Sequence, residues 1–433
     1  MTVDAIIESF QDFKINPTEP ENTQFQPLCF NPPADLRATC SSLSETPTYL
    51  FRVASPKTSA QTSSTWVRPK STLPHEEDIF TNLDEGNKRR RTAALLNDHL
   101  WWKEPLNDPF VSWTSSLLFA LAYIYYRHWS DSDGSPLEKI NLYVIDTTKF
   151  PRGTFIRDVD LLNVFIDSDP LPYSNGLARL KKWREGDLYF GEYLSQGALQ
   201  IEGKCQVINA QSLFDSNRLR RIQPAFADIE VPQQRPLWAK EVLHLRQVLE
   251  TRGGQRMQIQ PAVLRDGMHA LREIADLFEN PAWRLPMAVY FAALMGDRLD
   301  ENVATTPTTT ATPTAGSAAA LLEELRSFYR SSDIGLDCDQ LKTKIIAPAA
   351  MPELIQTEKI YRLVHKDYTL RKALDTLGKA RSFLGRLGCI TGTVSAVDPD
   401  RTATKAILSE LNTIIKDSKL IVMLDALPQR LSN

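Results

Sequence analysis

Three short stretches of this 433-residue chain hold side chains of the types that chemistry at a glycosidic carbon needs. They are Arg52 in YLFRV, Ser112 and Thr114 in FVSWTSS, and Glu192 in YFGEYLSQGAL. A planar guanidinium holds phosphate oxygens through two parallel hydrogen bonds. Neighbouring hydroxyls fix a ribose and steer an acidic group. A carboxylate in a dry, preorganised site stabilises positive charge as it develops, as in the oxocarbenium-like transition state of glycoside cleavage. All of this requires three distant stretches to meet.

Elements able to position them are legible nearby. In YLFRV, strand alternation puts Tyr49, Phe51 and Val53 on one face and Arg52 on the other. Phe110 to Thr114 reads as a strand on which Ser112 and Thr114 share a face. Thr114 or Ser115 is the expected N-cap of the next helix, whose apolar residues (Leu117, Leu118, Phe119, Leu121, Ile124) predict burial on most sides. INLYVID is a continuous apolar run of strand length, the mark of a central strand covered on both faces. Phe155 to Val159 reads as extended and Val159 to Phe165 as a short helix. Around Glu192, DLYFGEYLSQGALQIEGKCQVINA reads as strands and tight turns, with Gly203-Lys204 expected to join ALQIE to CQVIN as a hairpin. Short strands with a helix between them predict an α+β fold.

The chain divides by texture. Residues 1–44 read as an irregular extension, 45–215 as the α+β domain, and 216–300 as a connector with helices. Residues 301–318 are a Thr/Pro/Ala-rich stretch expected to be a flexible linker, and 319–433 a mainly helical region. Helical spacing marks Val242, Leu245 and Leu249, then Leu264, Met268, Leu271 and Phe278. The same spacing recurs at Leu370, Leu374, Leu377 and Leu384, and at Ile407, Leu411 and Ile414.

Composition narrows the function classes. With 42% hydrophobic and 24% charged residues the chain can bury a core and stay soluble. A net charge of −3 supplies no counterion-release term, so nucleic acid is not an expected partner. Lys88-Arg89-Arg90-Arg91 reads as a solvated loop, with one short helix near Thr92–Leu100, and Glu76-Glu77-Asp78 as a second solvated loop. Five scattered cysteines show no zinc spacing, so no metal is expected. The first residues lack a signal-peptide pattern, and Leu117 to Tyr126 is about half of a membrane span. A cytoplasmic or nuclear protein with no membrane segment is the expectation. His99, beside Trp101 and Trp102, reads as part of a helix end packed in the core. No phosphate-binding glycine loop, GxSxG or HExxH occurs.

The order and context of the three stretches resemble the Arg–Ser–Glu layout of the ADP-ribosyltransferases. FVSWTSS followed by a helix with small Ala120 and Ala122 looks like the Ser-Thr-Ser strand and helix of the cholera-toxin-like branch. GEYLSQGALQI looks like that branch's catalytic Glu leading into a strand, and residues 48–210 also resemble an uncharacterised fungal domain family of the same layout. The resemblance implies an ADP-ribosyltransferase-like mixed β-sheet domain that uses NAD as substrate and a protein as acceptor or partner. It assigns Glu192 as the catalytic carboxylate, Arg52 as phosphate and ribose anchor, Ser112 and Thr114 as positioning hydroxyls, and Tyr193 as a ring to stack on nicotinamide. Two departures matter. Phe190 stands where the arginine-modifying enzymes carry Gln or Glu, which argues against arginine as target, and Trp113 takes the middle of the Ser-Thr-Ser motif. The alternative is an inactive interaction module on the same fold, with Phe190 and Trp113 filling the pocket and the helical half binding a partner.

Overall fold

A computed structural model describes residues 26–70, 77–103, 105, 107–171, 173–229, 238–254, 261–295, 317–330 and 343–391. Its strands are β1 (Tyr49–Ala54), β2 (Gln61–Thr62), β3 (Trp66–Arg68), β4 (Phe110–Thr114), β5 (Asn141–Asp146), β6 (Ile156–Arg157), β7 (Glu192–Gln196), β8 (Leu199–Gln200) and β9 (Cys205–Asn209). Helices α1 (Lys88–Leu100), α2 (Leu117–Trp129), α3 (Asp158–Phe165) and α4 (Leu177–Arg184) lie between them. The short helices α5 (Ala210–Phe214), α6 (Arg218–Ile222) and α7 (Phe226–Ile229) follow. The longer α8 (Trp238–Gly254), α9 (Pro261–Ala275), α10 (Pro281–Ala292), α11 (Ser317–Arg330) and α12 (Pro352–Thr391) complete an α+β architecture with a helical second half.

The large sheet has the order β6-β7-β4-β1-β5-β9, and β2-β3-β8 form a small one. Residues opposite one another in a ladder point to the same face, and the pairs sort the chain cleanly. Phe51, Val53, Leu142 and Val144 belong to a core shared with α2 and with α8 to α12. Phe110 and Leu194, on that same face, pack with α1, α3 and α4 in a second cluster. The opposite face, with Leu50, Val111, Trp113, Tyr143 and Tyr193, is covered by the small sheet and by Phe150 and Phe155. β5, flanked by β1 and β9, is covered on both faces as its apolar run predicts.

Several local expectations change. β8 pairs with β3 of the small sheet while β9 pairs with β5 of the large one, so Gly203-Lys204 turns the chain between sheets and closes no hairpin. Burial of Leu199 and Ile201 between the two sheets decides this over local turn chemistry. Lys88-Arg89-Arg90-Arg91 forms the first turn of α1 instead of a loop. The N-cap of α2 is Ser116, whose hydroxyl accepts from Phe119 N, one or two residues beyond the expected cap. Val242, Leu245, Leu249, Leu264, Met268, Leu271 and Phe278 are core residues. Leu370 and Leu377 sit on α12 but are exposed. Ile407, Leu411, Ile414 and residues 301–316 lie outside the described residues. No helix among the described residues is long and apolar enough to cross a membrane.

Candidate functional site

β4 is the spine of the site. It pairs fully with β7, setting Ser112 opposite Leu194, Trp113 opposite Tyr193 and Thr114 opposite Glu192. With β1 it shares a single bridge, Phe51 to Thr114. Strand parity therefore sends Ser112, Thr114 and Glu192 to one face and Arg52, Trp113 and Tyr193 to the other. Arg52 nonetheless contacts the β4 backbone, where β4 shares only that one bridge with β1. Its Nη1 donates to the Ser112 carbonyl at 2.8 Å, its Nε donates to Thr62 Oγ1 at 3.2 Å, and its guanidinium lies 6.0 Å from the Trp113 ring centre.

On the other face Ser112 Oγ donates to Glu192 Oε1 at 2.8 Å. One serine thus touches both partners, the cation through its carbonyl and the carboxylate through its hydroxyl. Ser112 thus links Arg52 to Glu192 through a backbone atom that residue type alone does not reveal, although Arg52 and Glu192 leave the sheet from opposite faces. Thr114 and Tyr193 do not join them. Thr114 Oγ1 donates to the Phe190 carbonyl at 2.6 Å and accepts from Ser116 N at 3.0 Å, so it ties the turn before α2 to the segment before Glu192. Tyr193 is 1% exposed in the core of the far face, where no ligand ring can stack on it.

The string of polar groups continues at both ends. His99, in the last turn of α1, has Nε2 2.8 Å from Ser112 Oγ and Nδ1 2.6 Å from Asp108 Oδ2. His99 is therefore part of a hydrogen-bonded chain, though its ring edge does pack on Phe110. At the far end Arg184 Nη2 donates to Glu192 Oε2 and its Nε to Asp158 Oδ2, both at 2.8 Å. Burial pushes the Asp158 carboxyl up, against the pull of Arg184 and with the help of Glu192. Burial pulls Arg184 down, but its two carboxylates outweigh that and leave it above its ordinary value. Arg52 has no carboxylate within ion-pair distance among the described residues, and burial pulls it down to about 10. Neither Asp146 nor Asp158 pairs with it.

The segment that delivers Glu192 is held from the helical half. Gly191 has φ +68°, and a Cβ there would lie 2.2 Å from Ser115 Oγ, so the tight turn requires glycine. Arg246 of α8 donates to the Asp187 and Tyr189 carbonyls at 3.0 and 2.9 Å, lies over the Phe190 ring and forks onto Glu353 of α12. Glu353 also accepts from Ser116 Oγ at 2.7 Å. Phe190 stacks on Phe119, and Trp113 Nε1 donates to Ser195 Oγ at 3.0 Å, so both rings serve the core. A separate surface hollow of about 560 Å³, lined by Asn87, Arg90, Arg91, Ala94 and Pro170, shares no residue with this group.

Nothing in the sequence spacing reveals His99, Asp108, Arg184 or Asp158 as neighbours of Glu192, because each arrives on a different element. No group of three or more His, Cys, Asp or Glu suited to a metal ion occurs among the described residues. Residues 45–199, which contain every member of the string from Arg52 to Glu192, match a family model described as a domain of unknown function (DUF7587). No curated protein and no solved structure matches the chain.

Proposed function

We propose that the sheet region binds NAD and cleaves its nicotinamide–ribose bond, passing ADP-ribose to a macromolecule or to water. The observation that carries this reading is the pair of 2.8 Å contacts through which Ser112 links Arg52 to Glu192. In the reaction the acceptor oxygen or nitrogen attacks the anomeric carbon of the ribose. The C–N bond breaks with its electron pair leaving on nicotinamide, and the acceptor gives up a proton. Glu192 stabilises the positive charge that develops on the sugar, and Ser112 holds the carboxylate in line. Arg52, a buried cation without a carboxylate partner, suits a diphosphate, whose charge offsets what burial costs. Thr114 contributes by fixing the Phe190–Gly191 turn, and Tyr193 by anchoring β7 in the core. Where the acceptor is a protein, Phe190, packed in the core, offers no polar group to orient an arginine.

A second reading rests on Arg184. Its contact with Glu192 gives both carboxylate oxygens a partner and offsets the negative charge that the reaction uses. In that case the fold is a non-catalytic module for protein interaction. Release of nicotinamide from NAD separates the two. The enzyme reading expects turnover by the full chain and its loss in Glu192→Gln with the fold intact. A well-folded wild type that leaves NAD whole favours the module.

A further inference from the structure

Asp108 and His99 form with Ser112 and Glu192 an unbroken run of three short contacts, and that run can be read by counting hydrogens. Asp108 is fixed first: its Oδ1 accepts from Phe110 N at 2.9 Å, which leaves Oδ2 for His99 Nδ1 at 2.6 Å. His99 is fixed next, between Asp108 and the Phe110 ring, whose centre lies 5.5 Å away. Its Nε2 then meets Ser112 Oγ at 2.8 Å, and Ser112 Oγ meets Glu192 Oε1 at 2.8 Å. His99 and Asp108 side chains are each 12% exposed, so water has little room to substitute for these contacts.

Three contacts in a row need three hydrogens. A serine hydroxyl supplies one and can spend it in one direction only. If it goes to Glu192, Ser112 Oγ must accept from His99 Nε2, and both ring nitrogens of His99 carry a hydrogen. If His99 carries a hydrogen on Nδ1 alone, Nε2 takes the serine hydrogen and the link to Glu192 is lost. We propose that His99, braced by Asp108, is a positioning residue that donates to Ser112 and so commits the Ser112 hydroxyl to Glu192. Charged groups bearing on the ring are Asp108 directly, Glu192 through Ser112, and Arg52 through the Ser112 carbonyl. The kinetic consequence rests on Glu192 acting on NAD; the orientation of the serine does not.

The test uses the full chain labelled with ¹⁵N-histidine, with the His99 signals assigned by their loss in His99→Gln. A hydrogen on each ring nitrogen of His99, with a single-hydrogen ring in the near-isosteric Asp108→Asn, is the expected result. A wild-type ring with a hydrogen on Nδ1 alone overturns the proposal. Nicotinamide release supplies the second arm. His99→Ala is expected to lower kcat at least roughly tenfold with KM within about twofold, the mark of an interaction realised in the transition state. His99→Gln, which still offers Ser112 a donor, keeps most of the activity. An Ala variant as fast as wild type overturns the positioning role, as does a Gln variant no better than Ala. If the wild type releases no nicotinamide, the proposed function fails, and the ring signals still decide for or against His99.

Discussion

Arg52→Met separates the ligand role of the guanidinium from its role in folding, because the two have opposite signs. In the free protein the buried cation is held at a cost. Burial pulls its pKa down to about 10, a fall that corresponds to about 3 kcal/mol at ~1.36 kcal/mol per unit. Its hydrogen bonds to Thr62 and to the Ser112 carbonyl return roughly 1 kcal/mol each. Replacing Arg52 by methionine removes both the cost and the bonds, so the variant should stay within about 2 kcal/mol of wild type. Ligand linkage behaves differently. ADP-ribose at about 100 times its dissociation constant should add about 2.7 kcal/mol to the wild type. With an unfolding entropy of ~2.1 cal/mol/K per residue over 433 residues, 1 kcal/mol moves Tm by about 1 °C. Thermal unfolding should then show a wild-type shift of about 3 °C at that ligand concentration and essentially none in Arg52→Met. The reasoning is refuted if both proteins shift alike. A Met variant that loses far more than 2 kcal/mol unliganded would mark Arg52 as structural.

Three further outcomes follow from the packing. Arg246→Met leaves Glu353 buried with Ser116 as its remaining polar partner, and should lower stability by about 3–5 kcal/mol in thermal or denaturant unfolding. Replacing both members, Arg246→Met with Glu353→Leu, should recover much of that loss; no recovery would contradict an ion-pair origin. Asn97 is fully buried and neither polar atom of its side-chain amide has a partner among the described residues, so Asn97→Leu should stabilise by about 1–2 kcal/mol, whereas destabilisation would reveal a bound water. Asp158, whose carboxyl is raised to about 7 mainly by burial, contributes stability that is full below its ordinary value near 4 and fades as pH rises through 7. The Tm–pH curve of Asp158→Asn should be flatter than wild type across that window, and an unchanged slope would rule the carboxyl out as its source.

How far the sequence could be read depends on the range of the forces involved. YLFRV and INLYVID, whose side-chain patterns have a period of two and a continuous apolar run, gave strands in the expected places and β5 its covered position. Strand parity also correctly opposed Arg52 to Phe51 and Val53. The same parity, applied across the β4–β7 ladder, places Tyr193 in the far core, but that ladder is a tertiary fact no local window contains. Thr114 shares the face of Ser112 yet bonds to the backbone of residue 190, since a hydroxyl at a strand end satisfies the nearest unpaired carbonyl. GKCQ looks locally like a hairpin, and only the competition between two sheets for β8 and β9 reveals otherwise. His99 and Arg184 are the instructive omissions. One sits among tryptophans and the other ends the basic run LKKWR, so each resembles an ordinary helix end until α1 and α4 dock on the strands.

The most direct measurement is a crystal structure of the full chain grown with ADP-ribose. The account predicts the diphosphate within hydrogen-bond reach of Arg52, and the nicotinamide-side ribose beside Glu192 and Ser112. Density for the ligand elsewhere on the protein, with Arg52 still bonded only to Thr62 and Ser112, would contradict it.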